Sequence, residues 1–169
     1  ILAKDIVTGV QNEDWEIVWD NGAASDYLKR YDGSTDFKFS TGKAFWIISK
    51  GPMSISRTVP SAALNAAQEV EIPVRSGWNL ISNPVTNPVP GDSVRQLYPM
   101  SSNAHAYEFS GGYVQQYRME NGKGYWEKFP GTTTNTITGT ARTQDSISVV
   151  VGWNIIGSIS HPADTASIV

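Results

Sequence analysis

The chain has 169 residues, a formal charge of −3, and only 17% charged against 40% hydrophobic residues; at this length folding buries roughly 70% of the unfolded surface, enough for a real core. Its basic residues are scattered singly, which excludes the basic stripe of a nucleic-acid binder and the polybasic stretch that an anionic membrane attracts. With no Cys it has neither disulfides nor thiolate metal sites, and no apolar run approaches the roughly 18 residues of a membrane-spanning helix.

In chain order, short segments rich in Val, Ile, Thr and aromatics alternate with Gly, Asn, Asp and Pro, the punctuation of a sandwich or barrel. Trp15, Ile17 and Trp19 are expected on one face of an extended strand, and Tyr27 and Tyr31 on one face of the next. Asp32-Gly33 reads as a tight hairpin turn. Asp32, Ser34 and Asp36 place oxygen ligands at alternate positions, a candidate hard-cation loop, although no bidentate Glu follows at EF-hand distance and a turn is the better reading. TGKAFWIISKG (41–51) is an aromatic strand, Ala62 to Gln68 a short helical turn, and GWNLIS (77–82) a strand covered on both faces, since Leu80 and Ile81 break alternation. Asp92 and Ser93 would cap one short helix through Leu97. Gly111-Gly112 marks a second hairpin; beyond it Tyr113 and Tyr117 bracket Gln115 and Gln116. NGKGYWEKFPG (121–131) and GWNIIG (152–157) complete the series.

The two GWN phrases start 75 residues apart, and each follows a G-K-x-x-W phrase: Gly42, Lys43 and Trp46 correspond to Gly122, Lys123 and Trp126. Two motifs recurring in one order indicate duplication. KRYDGSTDFKF (29–39) is taken to parallel YEFSGGYVQQYRM (107–119), and KDIV (4–7) to parallel GDSVRQL (91–97). The expected fold class is all-β: two homologous tandem units, 1–87 and 88–169, forming β-sandwich or barrel-like sheets with at most one or two short helices, separate or fused into one pseudo-symmetric domain. TNPVPGD (86–92) is the expected seam. PADTASIV (162–169) reads like the opening of a further copy, so the chain is expected to be a slice of a longer array or processed precursor. The glycines are expected to supply turns, Asn79 and Asn154 to satisfy backbone groups, and Trp46, Trp78, Trp126 and Trp153 to pack in or against the core.

The pairing of GKGYW with a later GWNLIS resembles the tandem repeats near the C-terminal ends of large secreted or surface-attached bacterial proteins. The resemblance spans about 75 residues per unit. It implies an extracellular or cell-surface, β-rich, non-catalytic accessory module and carries over no site residues. Ala44-Phe45 replaces Gly124-Tyr125 in unit one, an exchange suggestive of packing.

The residues themselves hold few parts for catalysis. His105 and His161 lie near no G-x-S-x-G elbow and no H-E-x-x-H helix, and no glycine loop has Walker spacing. Neither an enzyme nor a cofactor is expected. The aromatics that do not repeat, Trp15, Trp19, Tyr27, Tyr31, Tyr113 and Tyr117, lie among Asn, Gln and Asp side chains and form a candidate carbohydrate platform, because sugar C–H faces stack on rings while hydroxyls hydrogen-bond. The expected function is binding or adhesion, with polysaccharide or neighbouring domains of the same parent chain as partners. The alternative is a spacer or assembly subunit of a surface array. Self-association is expected through the strand 153–159, should its edge be open.

Overall fold

A computed structural model describes residues 7–34, 37, 40–58, 64–87, 91–142 and 144–158, with the backbone alone at 56–58. The fold is all-β. In chain order the elements are β1 (Trp15–Asp20), β2 (Leu28–Arg30), β3 (Ala44–Ser49), β4 (Met53–Thr58), β5 (Glu69–Val74), β6 (Gly77–Ser82), β7 (Val85–Thr86), α1 (Val94–Leu97), β8 (Ala106–Phe109), β9 (Tyr113–Gln116), β10 (Gly124–Phe129), β11 (Thr133–Thr138), β12 (Thr140–Ala141), β13 (Gln144–Val149) and β14 (Gly152–Gly157). No helix among the described residues is long and apolar enough to cross a membrane.

Period-two patterning forms the ribbons. In β5, Val70, Ile72 and Val74 are buried while Glu71 and Pro73 face out, and β11 turns Asn135 and Ile137 inward between exposed threonines. The central strands carry longer apolar runs because both faces are covered. In β6, Leu80 and Ile81 are fully buried on opposite sides, Leu80 in a cluster with Ala44, Trp46 and Ile155 and Ile81 in one with Tyr98, Tyr125 and Phe129.

The pairing of these strands is reciprocal between the two halves of the chain. One four-stranded sheet has the order β14-β3-β1-β2 and the other β6-β10-β8-β9. Each GWN strand therefore lies beside the aromatic strand of the other unit: Gly77 to Ser82 opposite Phe129 to Gly124, and Gly152 to Gly157 opposite Ser49 to Ala44. The ribbons repeat the exchange, β4 pairing β13 and β5 pairing β11. The units expected at 1–87 and 88–169 are thus two sets of equivalent strands whose second parts have changed places, and each main core draws on both sets.

The two sets meet where the GWN strands end. Ser82 N–H donates to the Gly42 carbonyl (2.9 Å) and Gly157 N–H to its counterpart on Gly122 (3.0 Å). Ser158 N–H reaches Ser82 Oγ at 3.1 Å, and Tyr98 OH donates to the Ser82 carbonyl at 2.7 Å. Crowding here explains the departures from exact repetition. A Cβ on Gly157 would lie 2.3 Å from the Lys123 carbonyl oxygen, and one on Gly124 would lie 2.5 Å from Ala44 Cβ.

Several sequence expectations change. Val18 faces Trp46 and Tyr107 faces Trp126, so hairpin β8–β9 corresponds to β1–β2, not to 29–39; the turn of the first hairpin is the 21–27 loop, closed by Asn21 N–H on the Tyr27 carbonyl. Asn65 to Gln68 forms a turn pinned by the Asn65 side chain on the N–H groups of Ala67 and Glu69, not a helix. α1 runs through Leu97 with Ser93 at its N-cap but without a side-chain cap bond; Asp92 is instead held by Arg118 at 2.8 Å. Lys4 to Ile6, Ala62, Ala63 and the strand end and tail from Ile159 lie outside the described residues, as do 88–90 of the seam.

Candidate functional site

The six aromatics proposed as a platform separate in the structure. Trp15 and Tyr31 are 3% and 2% exposed, stacked with ring centroids 6.3 Å apart inside the first core with Ile17, Phe37 and Phe45. They are core residues, not ligand contacts, because the Trp15–Ile17–Trp19 face is the face β1 turns inward. Trp19 is half-buried edge-on to Phe37. Tyr27 and Tyr31 do not share a face: β2 is only three residues long, and Tyr27 points away from that core to lie under the Arg75 guanidinium, 3.8 Å from the ring centroid. Tyr113 and Tyr117 are 60% and 62% exposed.

Of the candidate cation loop Asp32, Ser34 and Asp36, the first two are described, and they bond to each other. Asp32 accepts Ser34 N–H at 2.9 Å and is fully exposed, and hydrogen bonds from Ser34 hold its carboxyl below the usual carboxylate range. Gly33 has φ +90°, so the segment is an Asx-type turn; Asp36 lies outside the described residues. No group of three or more His, Asp or Glu side chains converges as a metal site among the described residues.

The aromatic surface that does exist is built by the repeated tryptophans. Trp78 and Trp153 occupy equivalent positions, second in each GWN strand, and are 39% and 42% exposed rather than packed in the core. Trp153 meets the edge of Trp46, with centroids 5.7 Å apart; Trp46 in turn touches Phe109 and Tyr113, at 5.1 and 6.5 Å. Trp78 meets Tyr107 at 5.7 Å, beside His105 and Tyr117. Two shallow hollows lie along this face. One of about 340 Å³ is lined by Val18, Leu28, Trp46, Phe109 and Trp153. The other, about 380 Å³, is lined by Tyr27, Leu28, Trp78, Tyr107, Tyr113 and Trp126.

The hairpins complete this face reciprocally. Phe109 and Tyr113, from the tip of β8–β9, cover the Trp46 of the other sheet, while Tyr27 and Leu28 of the β1–β2 hairpin reach the Trp126 hollow. Arg75 fixes one side: Nη2 donates to the Trp78 carbonyl at 2.6 Å, and Nη1 pairs with the nearly buried Asp20 at 2.7 Å. Polar groups stand between the rings. Tyr107 Oη lies 3.2 Å from His105 Nε2 and accepts a longer contact from Gln115 Nε2 at 3.4 Å. Aromatic faces next to hydrogen-bonding side chains can hold an amphipathic, uncharged ligand lying flat.

A larger groove, about 1080 Å³, opens elsewhere, lined by Trp19, Asp20, Lys43, Glu71 and Arg75 among others. The duplicated lysines differ here. Lys123 pairs with Glu108 (2.9 Å) and Glu120 (3.2 Å); desolvation works against its charge, but those carboxylates outweigh it and raise its pKa. With Val18 opposite Trp46 and Tyr107 opposite Trp126, Trp19 stands where the second unit has Glu108. Lys43 instead donates to the Pro73 carbonyl, and desolvation lowers its pKa to about 8 despite the attraction of Asp20.

Trp46 and Trp126 pack as expected, buried and half-buried in one cluster; sequence reasoning missed how far Trp78 and Trp153 stand out of the core, and missed Tyr107 and Phe109 beside them. The available signal was alternation, which sets Trp78 on the same side as Leu80, but alternation does not say how far along the strand that side is covered. No family model matches the chain, and neither a curated protein nor a solved structure is found to match it.

Proposed function

We propose that the protein is a non-catalytic binding module of an extracellular or cell-surface bacterial protein, and that its ligand is a polysaccharide chain laid along the aromatic face between Trp153 and Trp78. The observation that carries this reading is the exposure of two tryptophans at equivalent positions, each beside a hollow walled by further rings. Exposed indoles bring large apolar area to a surface, and contiguous exposed apolar surface marks interaction sites. The face carries hydroxyl, imidazole and amide groups at Tyr107, His105 and Gln115, which suits a neutral ligand with both C–H and O–H faces. The resemblance to repeats of secreted proteins supports the location.

Retention on insoluble glucans, chitin and xylan tests it. Trp78→Ala and Trp153→Ala each remove one ring worth about 1 kcal/mol of stacking, hence roughly fivefold in affinity, and the double variant roughly thirtyfold. Far-UV circular dichroism stays unchanged, because both rings are largely outside the core. Wild-type protein that binds none of these polymers would overturn the reading. The alternative, a spacer or assembly subunit of a surface array, draws on a different observation, the exchange of strands between the two halves.

A further inference from the structure

The exchange of strands bears on what else the chain can bind. Five pairings join the halves: β3 with β14, β10 with β6, β5 with β11, β4 with β13 and β7 with β12. Within each half, the strand pairings among the described residues are hairpins β1–β2 and β8–β9 and the contacts of β1 with β3 and β8 with β10, and each GWN strand touches its own half through single bridges, Lys43 with Ile81 and Lys123 with Ile156. Neither half can therefore complete a sheet alone. The aromatic strands β3 and β10 need a GWN strand at one edge, and the one they take comes from the other half.

Nothing in those pairings requires that both halves belong to one molecule. We propose that the chain associates with a second copy of itself by trading halves, β1–β7 of one copy completing the sheets of β8–β14 of the other in the same registers. Every hydrogen bond and core contact between halves is reproduced in such a dimer, so the two forms differ in the connection between β7 and α1 and in the entropy of association. Closure within one chain competes through an effective concentration that a short connection sets at about 1 mM. The monomer therefore prevails in dilute protein, and the exchanged dimer gains when chains fold together near that concentration. This route to self-association does not depend on an open outer edge of β14; the end of that strand is already engaged, by Gly157 N–H on the Gly122 carbonyl at 3.0 Å.

The absence of native Cys permits a clean test. Ser54 and Ser148 are exposed and directly opposed on β4 and β13. A full-length chain carrying Ser54→Cys is mixed with a tagged full-length chain carrying Ser148→Cys, unfolded, refolded together and oxidised. In the exchanged dimer the thiol introduced on β4 of one copy faces the thiol introduced on β13 of the other. About a quarter of the chains are then expected as disulfide-linked mixed dimers after refolding at ~1 mM, against about one per cent at ~10 μM, with native circular dichroism in both. The single chain bearing both substitutions is the control and should close its bond as a monomer. Glu71→Cys with Thr136→Cys, opposed on β5 and β11, repeats the test on the equivalent ribbon. Monomer alone at ~1 mM, with the control bond formed, overturns the proposal; so does linkage between like chains as abundant as the mixed product, since exchange places like thiols apart.

Discussion

Gly124 shows how a single missing methyl lets two copies of one motif approach closely. It occupies the position of Ala44, and the two pack against each other; an added Cβ would lie 2.4 Å from Ile155 Cγ2 and 2.5 Å from Ala44 Cβ. Gly124→Ala should destabilise the protein by about 2 kcal/mol, as overpacking of a dense core does. Adding Ala44→Gly should recover about half of that, measurable as a coupling energy in chemical denaturation. Glu127 is the opposite case, a charge where the other copy has the fully buried Ile47. Its carboxyl is 1% exposed; Oε1 accepts Lys128 N–H at 3.0 Å, and Oε2 has no hydrogen-bond partner. Burial pushes its pKa up to about 7, against the opposing pull of that N–H and of Arg95. Because the folded pKa lies above the unfolded one, near 4.5, the folded state binds the proton more tightly. The resulting stability is present below pH 4.5 and lost as pH rises to 7, on the order of 3 kcal/mol. Thermal unfolding of Glu127→Gln against wild type across pH 5 to 8 should show the variant gaining relative stability over that interval and no further above it.

Among the elements, the turn between each GWN strand and the strand before it is built twice in one way. Asn79 accepts Arg75 N–H (3.0 Å) and donates to the carbonyls of Arg75 (2.9 Å) and Gly77 (3.1 Å). Asn154 does the same with Val150 and Gly152, at 3.0, 2.8 and 2.9 Å. Burial separates them: Asn79 is 1% exposed and Asn154 only half-buried. Asn79→Ala should therefore cost about 3 kcal/mol and Asn154→Ala about 1, since water can replace the lost partner at the second site; denaturant midpoints of the two variants would check the order. These turns were legible in the sequence because their bonds span at most four residues, and positive φ at Gly42 (+70°) and Gly122 (+80°) is similarly local. The hairpin of the first unit was not. Asp32-Gly33 resembles Gly111-Gly112 and drew the alignment there, whereas the matching turn is a seven-residue loop with its own Asn21-Gly22. Trp15 and Tyr31 read as well for a platform as for a core, because alternation fixes a face and leaves open which face is covered.

At the scale of the whole molecule, the strand exchange was invisible to sequence reading for a physical reason. GWNLIS and GWNIIG are nearly interchangeable, so the pattern that fits one beside AFWIIS fits the other there equally well. Duplication announces which strands are alike and is silent about which partner each selects. That selection sets a timetable. Ala44 pairs with Gly157, and Ser49 with Gly152, across most of the described chain. A ribosome or an export channel releases the first unit well before the second, and during that interval β3 has only β1 beside it, β6 has no aromatic strand, and β4 and β5 have nothing opposite them. Such long-range pairing is slow to nucleate, and its unpaired edges invite aggregation. A cut anywhere before Gly152 would leave the first sheet without its edge strand however intact the preceding residues were. The first sheet thus fastens like a zip whose slider is β14, and it stays pliable along its length until that strand has been made.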